Sequence, residues 1–149
     1  MLLKEALLKQ CQIFANDKLN LIETVISANR KALEQESKSS AGDKHETGRA
    51  MLHLEMEKAS QQFQAAQQMK ETLDRIHINS SVGNIKLGSL VITNQGVYFI
   101  AISAGIITID KKQYFAVSPA SPIGRLLIGK EQGETVSLGA KTIKIKSIE

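Results

Sequence analysis

The first 41 residues contain neither proline nor glycine, and apolar residues recur through them at alternating spacings of four and three. Leu7, Cys11, Phe14, Lys18, Leu21, Val25, Ala28 and Ala32 form this stripe, and Leu19, Ile22 and Ile26 widen it. That period belongs to a coiled-coil seam. A polar break at Ser37–Gly42 follows. The pattern then resumes at Leu52, Met56, Ala59, Phe63, Ala66, Lys70 and Leu73. Proline is absent from 43 to 77 as well, so nothing forces either helix to stop early. Folding the chain back at the break pairs the seams with index sums near 84. Leu21 then faces Phe63, Val25 faces Ala59, Ala28 faces Met56, and Ala32 faces Leu52. Large residues meet small ones on several layers, as interdigitated packing prefers. Residues 1–77 are therefore expected to form an antiparallel coiled-coil hairpin with arms about 50 Å long. Lys18 and Lys70 interrupt the seam, and their stems would carry the charges outward.

Near His77 the period changes to two. Leu90–Thr93, Val97–Ser103, Ile106–Asp110 and Gln113–Val117 are β-branched or aromatic runs. Asn94-Gln95-Gly96 and Asp110-Lys111-Lys112 read as turns between them. After Pro119 and Pro122, Ile123–Ile128 reads as a short helix stopped by Gly129. Two further strands, Thr135–Leu138 and Thr142–Ile148, complete the chain. Strands, a short helix and more strands make residues 78–149 a small α+β domain. The boundary is expected within 79–88, which holds Ser80, Ser81, Gly83 and Asn84.

Composition removes several function classes. With aromatics at 4% and no tryptophan, an aromatic cage or base-stacking platform has little to be built from. A single cysteine excludes an intrachain disulfide and a Cys-rich zinc site. It suits a reducing cytoplasm, the expected location. The longest apolar run, Val97–Ile109, is too short to span a bilayer and is broken by Ser103 and Gly105. No membrane partner is expected, and nothing near Met1 resembles a signal peptide. Residues 1–77 balance 11 basic against 11 acidic side chains, whereas 78–149 carry 8 against 4. The net +4 thus sits in the second half, too small an excess for sequence-specific DNA binding.

Two segments carry candidate chemistry. Asp43 and Glu46 stand three apart at the expected start of the second helix, the spacing of an N-cap and its N3 partner. The same spacing points both carboxylates one way, so they could also complete the shell of a cation held mostly by something else. Magnesium suits such sharing, because it takes oxygen ligands and keeps water positions. A capping acid retains free lone pairs, so the two roles are compatible. His45, His53 and His77 match no zinc spacing. The second segment is SPASPIGRLLIGKEQGETV, residues 118–136. Ser121 is a good N-cap and Pro122 a good first helical residue.

Ser121-Pro122-Ile123-Gly124-Arg125, then Leu127-Ile128-Gly129-Lys130, Gly133-Glu134 and a closing Ile-rich strand, resemble the C-terminal domain of bacterial Gre transcript-cleavage factors, a domain with an FKBP-like fold. In that family it follows an N-terminal antiparallel coiled coil of about this length. The family's hairpin tip carries Gly-Asp, two variable residues and Glu, and Gly42-Asp43-Lys44-His45-Glu46 has that spacing. The resemblance implies a transcription elongation factor that binds RNA polymerase. The small domain would dock at the rim of the secondary channel, with Ser121, Pro122 and Ile123 in the docking region. The coiled coil would reach the active centre, where Asp43 and Glu46 would help hold a Mg²⁺ shared with the polymerase. The backed-up 3′ end of the nascent RNA would then be cleaved. The chain would complete the polymerase's site instead of being an enzyme itself. A monomer is expected, because the hairpin would use both seams internally.

The tip departs from the family after Glu46. Thr47-Gly48-Arg49-Ala50 stand where the family usually has Asn-Ala-Glu-Tyr or close to it. An arginine in place of an acid would weaken a cation's hold or favour phosphate. Two alternatives follow: a channel-binding modulator or inhibitor without cleavage activity, and an FKBP-like chaperone or interaction module. Against a proline isomerase, the domain has only Tyr98, Phe99, Tyr114 and Phe115 as aromatics.

Overall fold

The computed structural model describes residues 2–38, 44–79 and 83–149, with the side chains of 37, 38 and 44–46 outside that description. The elements are α1 (Leu2–Lys38), α2 (Lys44–Asp74), β1 (Leu90–Thr93), β2 (Gly96–Ile100), β3 (Gly105–Ile109), β4 (Lys112–Val117), α3 (Pro122–Leu127), β5 (Thr135–Leu138) and β6 (Lys141–Ile148). This is the expected α+β architecture: a long antiparallel helical hairpin, then a small mixed sheet. The chain divides into two compact units, Ala15–Lys70 and Met1–Phe14 with Glu71–Glu149.

In the unit of residues 15–70 the hairpin forms, but α1 turns a different stripe inward from the expected one. Leu21 is 67% exposed and Val25 43% exposed, whereas Ile22 is buried. Ile22, Ala59 and Ala66 make the core, with Leu19, Ile26 and Phe63 packed against it. The inward positions are Leu19, Ile22 and Ile26, which were expected only to widen the stripe, together with Ala15, Asn29 and Leu33; each stands one residue beyond Phe14, Lys18, Leu21, Val25, Ala28 and Ala32. The cause lies in Lys18. Keeping Phe14 and Lys18 in the seam would press an ammonium against α2, where desolvation is costly. Two successive steps of four, Cys11 to Ala15 to Leu19, rotate Lys18 out and bring the bulkier Leu19, Ile22 and Ile26 in. On α2 the expected stripe holds except at one position: Lys70 is exposed and Met69 half-buried beside it. The phase of α1 changed while the register did not. Gly48 lies against the Glu36 side chain, a pair whose indices sum to 84. The stripe has a polar cost: Asn29 is buried, and its Nδ2 finds no hydrogen-bond partner among the described residues.

In the other unit six strands form one sheet in the order β3-β4-β2-β1-β6-β5. All neighbours are antiparallel except β2 and β4. Two-residue turns close the β1–β2 and β3–β4 hairpins. In the second, Asp110 and Lys111 have φ of 50° and 67°, as the right-handed twist of paired strands requires. Asn94, in the first, adds rungs to β6: its Oδ1 accepts from Lys144 N at 2.8 Å and its Nδ2 donates to Thr142 O at 3.3 Å.

Alternation gives the sheet two buried faces. Val91, Ile100, Val136, Ile143 and Ile145 form a core with Ile85 and Leu127, and Ile123 and Leu126 of α3 pack against it. Leu90, Phe99, Tyr114 and Ala116 point the opposite way and are also buried, in the same unit as buried Leu7, Cys11, Leu73 and Ile76. The start of α1 is tied to the sheet's last rung. Lys4 Nζ donates to the Glu149 carbonyl at 3.3 Å, and Leu90 and Glu149 exchange two backbone hydrogen bonds of 2.8 Å. Burial lowers the Lys4 pKa; the Glu149 charge opposes that shift and Lys86 adds to it.

Cys11 is fully buried, and desolvation pushes its thiol up to about 11. An acid whose folded pKa is raised stabilises the fold below its ordinary value near 9.0 and loses that contribution as pH rises towards 11. Native protein should therefore resist a thiol reagent at about pH 8 and react on unfolding. The difference in stability between wild type and Cys11→Ala, from denaturant titrations, should shrink between those two pH values; a difference independent of pH would contradict the burial.

Candidate functional site

The two segments singled out in the sequence lie in different compact units, and the geometry of each is local. Asp43 lies outside the described residues. The α2 backbone begins at Lys44, which makes Glu46 its third helical residue, the N3 position of the expected cap. The Glu46 side chain lies outside the described residues as well. Among the described residues no group of three or more potential metal ligands occurs.

Near the start of α2, Gly48 and Arg49 are engaged with α1. Arg49 Nη2 donates to the Glu36 carbonyl at 3.4 Å. A Cβ added to Gly48 would stand 3.2 Å from Glu36 Oε1 and 3.6 Å from its Cδ. Gly48 thus lies close beside the Glu36 side chain, whose carboxylate would have to shift slightly for a larger residue. Arg49 reaches back across the hairpin at this point. Thr47, Arg49, Ala50 and His53 are exposed.

The second segment is a well-defined knuckle. Ser121 caps α3 with extended backbone (φ −67°, ψ 159°), and its Oγ accepts from Gly124 N at 3.1 Å. The same hydroxyl donates to the Ser118 carbonyl at 2.6 Å, while Ser121 N donates to Ser118 Oγ at 3.1 Å. Two serines three apart thereby tie the turn into the helix start, and Pro122 supplies a first residue with no amide to satisfy. The far end is held by backbone exchange with Ile85: Gly129 N donates to Ile85 O at 2.8 Å and Ile85 N to Lys130 O at 2.9 Å.

Of the three residues expected to dock, Pro122 is exposed, Ser121 is half-buried and occupied as a cap, and Ile123 is half-buried against the sheet core. Arg125 and Ile128 also reach the surface. Gly124, which was given no role from sequence, is what lets the knuckle close. A Cβ there would collide with the Ser118 carbonyl oxygen. The available signal was a glycine inside a proline-started helix, three residues after its cap. The domain's aromatics are committed to packing. Phe99 and Tyr114 are buried, and Tyr98 stacks on Phe115 with centroids 5.4 Å apart.

Neither protein-family models nor characterised proteins match this sequence. Among solved structures the chain is similar to that of the transcription factor Gfh1, at 18% identity over 88% of this chain and 92% of that one, with a TM-score of 0.34. A likeness at that level carries no weight here, and the architecture stands on the elements described above. No described helix is long and apolar enough to cross a membrane.

Gly124→Ala should destabilise the protein by about 1–3 kcal/mol, because the new methyl forces the Ser118–Ser121 turn open. Chemical denaturation reads the change; an unaltered midpoint would mean that the turn has slack the structure does not show.

Proposed function

We propose that this chain is a transcription elongation factor that binds RNA polymerase through its secondary channel and acts on backtracked nascent RNA. The reading is carried by a combination of features. One chain joins an acid pair at the turn of a long helical hairpin to a small sheet domain with the Ser121-Pro122-Ile123-Gly124 knuckle, the layout and motifs of the Gre resemblance. In this proposal the knuckle's exposed surface, with Pro122 at its start, docks on the polymerase. The hairpin places Asp43 and Glu46 at the active centre.

The chemistry asked of the chain is modest. Two carboxylates fill two of the six positions around Mg²⁺, so the ion would be shared with the polymerase and held weakly by this chain alone. Such an ion lowers the pKa of its water and stabilises charge on the phosphoryl oxygens. The chain's part is to supply two oxygen donors, Glu46 from the first turn of α2 and Asp43 from the residue before that helix, and a positive helix end favours carboxylates. It would act by completing the polymerase's site, not by catalysis of its own.

The second reading is a channel-bound modulator without cleavage activity. Arg49 favours it: this exposed cation, three residues beyond Glu46, replaces a family acid and opposes cation binding. One experiment separates the readings. With Asp43→Ala and Glu46→Ala combined, polymerase binding should persist, while RNA cleavage in stalled elongation complexes should drop to the level without factor. Wild-type protein that binds but never stimulates cleavage selects the modulator, and failure to bind polymerase removes both readings.

A further inference from the structure

The hairpin of residues 15–70 is packed unevenly along its length. Among its described residues the buried side chains are Ala15, Ile22 and Asn29 on α1 and Ala59 and Ala66 on α2, in steps of seven. Both series give out in the same direction: the next step is half-buried Glu36 on α1 and half-buried Leu52 on α2. The apolar cluster of Ile22, Ala59 and Ala66, with Leu19, Ile26 and Phe63 against it, lies wholly inward of Asn29. Outward of Asn29 no described side chain of the hairpin is buried, and Met51 and Leu54 are exposed. Asn29 itself is 8% exposed, and its Nδ2 meets no hydrogen-bond partner among the described residues. The Gly48–Glu36 register sets it level with residues 55 and 56, about one turn beyond Ile26 and Ala59.

We infer that Asn29 marks a break in the hairpin's cooperativity: beyond it the two arms, residues 30–38 and 44–55, open as one unit while the arms inward of it stay packed. Opening the outer arms exposes only half-buried apolar surface, from Ala32, Leu33 and Leu52. It also returns the Asn29 amide to water and so removes the penalty of a buried donor without an acceptor. Opening the inner arms would uncover Ile22, Ala59 and Ala66, and apolar burial is the main force holding two helices together. Helix propensity acts in the same sense. The outer arms are 9 and 12 residues long, and helical stretches of that length are marginal in water without packing. Gly48 weakens the second further. One link between the outer arms, Arg49 Nη2 to the Glu36 carbonyl at 3.4 Å, is long and exposed. A folded chain opens first where the fewest buried apolar contacts are lost. A partner that grips the closed outer arms would oppose the opening, so contact at that end also sets how ordered those arms are.

This inference does not rest on the proposed function. Native-state hydrogen exchange of the full chain reads it directly. Amides of residues 31–36 and 48–54 should exchange at least ~50-fold faster than those of 19–26 and 60–66, with little dependence on denaturant. Ile22→Val should speed the inner amides by roughly 3–10-fold and leave the outer ones unchanged, because Ile22 stays packed when the outer arms open. Asn29→Leu should slow outer and inner amides alike, by about fivefold or more, because both openings hydrate this side chain. Equal exchange along the whole of both arms would overturn the proposal. So would outer amides that speed up with Ile22→Val, since the hairpin would then open as a single unit. Exchange that is unchanged or faster in Asn29→Leu would overturn Asn29 as the point of the break.

Discussion

Everything distinctive in the helical half follows from one packing choice: Ile22 and Ile26, not Leu21 and Val25, meet Ala59, Phe63 and Ala66. The choice is made between Cys11 and Leu19, where two successive steps of four turn Lys18 to the surface. A buried ammonium costs more than the alternative, the unpaired amide of Asn29, which is worth about 1–3 kcal/mol. The same rotation leaves Leu21, Val25 and Ala28 facing outward. A core decision near one end of the hairpin therefore dictates which surface the rest of the hairpin offers.

The sheet domain depends on a different constraint. β6, at eight residues, pairs with β1 on one side and β5 on the other, and Leu90 and Glu149 extend the β1–β6 ladder by one rung. Its alternating Ile143 and Ile145 anchor the core that α3 covers. The knuckle is thus fixed from three directions: the Ser118–Ser121 hydrogen bonds at its start, the Ile85 exchange at its end, and Ile123 and Leu126 beneath. A surface held this way can present Pro122 and Arg125 to a partner at little ordering cost.

Much of this was legible in the residues. Leu90–Thr93 and Thr135–Leu138 match their expected runs, and the helix of residues 122–127 is one residue shifted from expectation. The Ser121 cap was readable because capping is local chemistry. The phase of α1 was not readable, because two heptad stripes one residue apart are about equally apolar, each with one polar intruder, Lys18 or Asn29. Only the opposing helix decides between them. Strand order was equally hidden: β2 lies beside β4 in parallel, with β3 outside, and periodicity says nothing about pairing across a crossover. At the tip, the acids were found by spacing alone. The packing of Gly48 and Arg49 against Glu36 needed the folded hairpin to be seen.

The phase of α1 is open to direct measurement. In a Cys11→Ala background, single cysteines at 21, 22, 25 and 26 can be labelled at dilute concentration with a small thiol reagent. The account predicts fast labelling at 21 and 25 and slow labelling at 22 and 26, following the exposure of each site. Fast labelling at 22 and 26 with protection at 21 and 25 would contradict it, and would return the hairpin to the seam that simple spacing suggests.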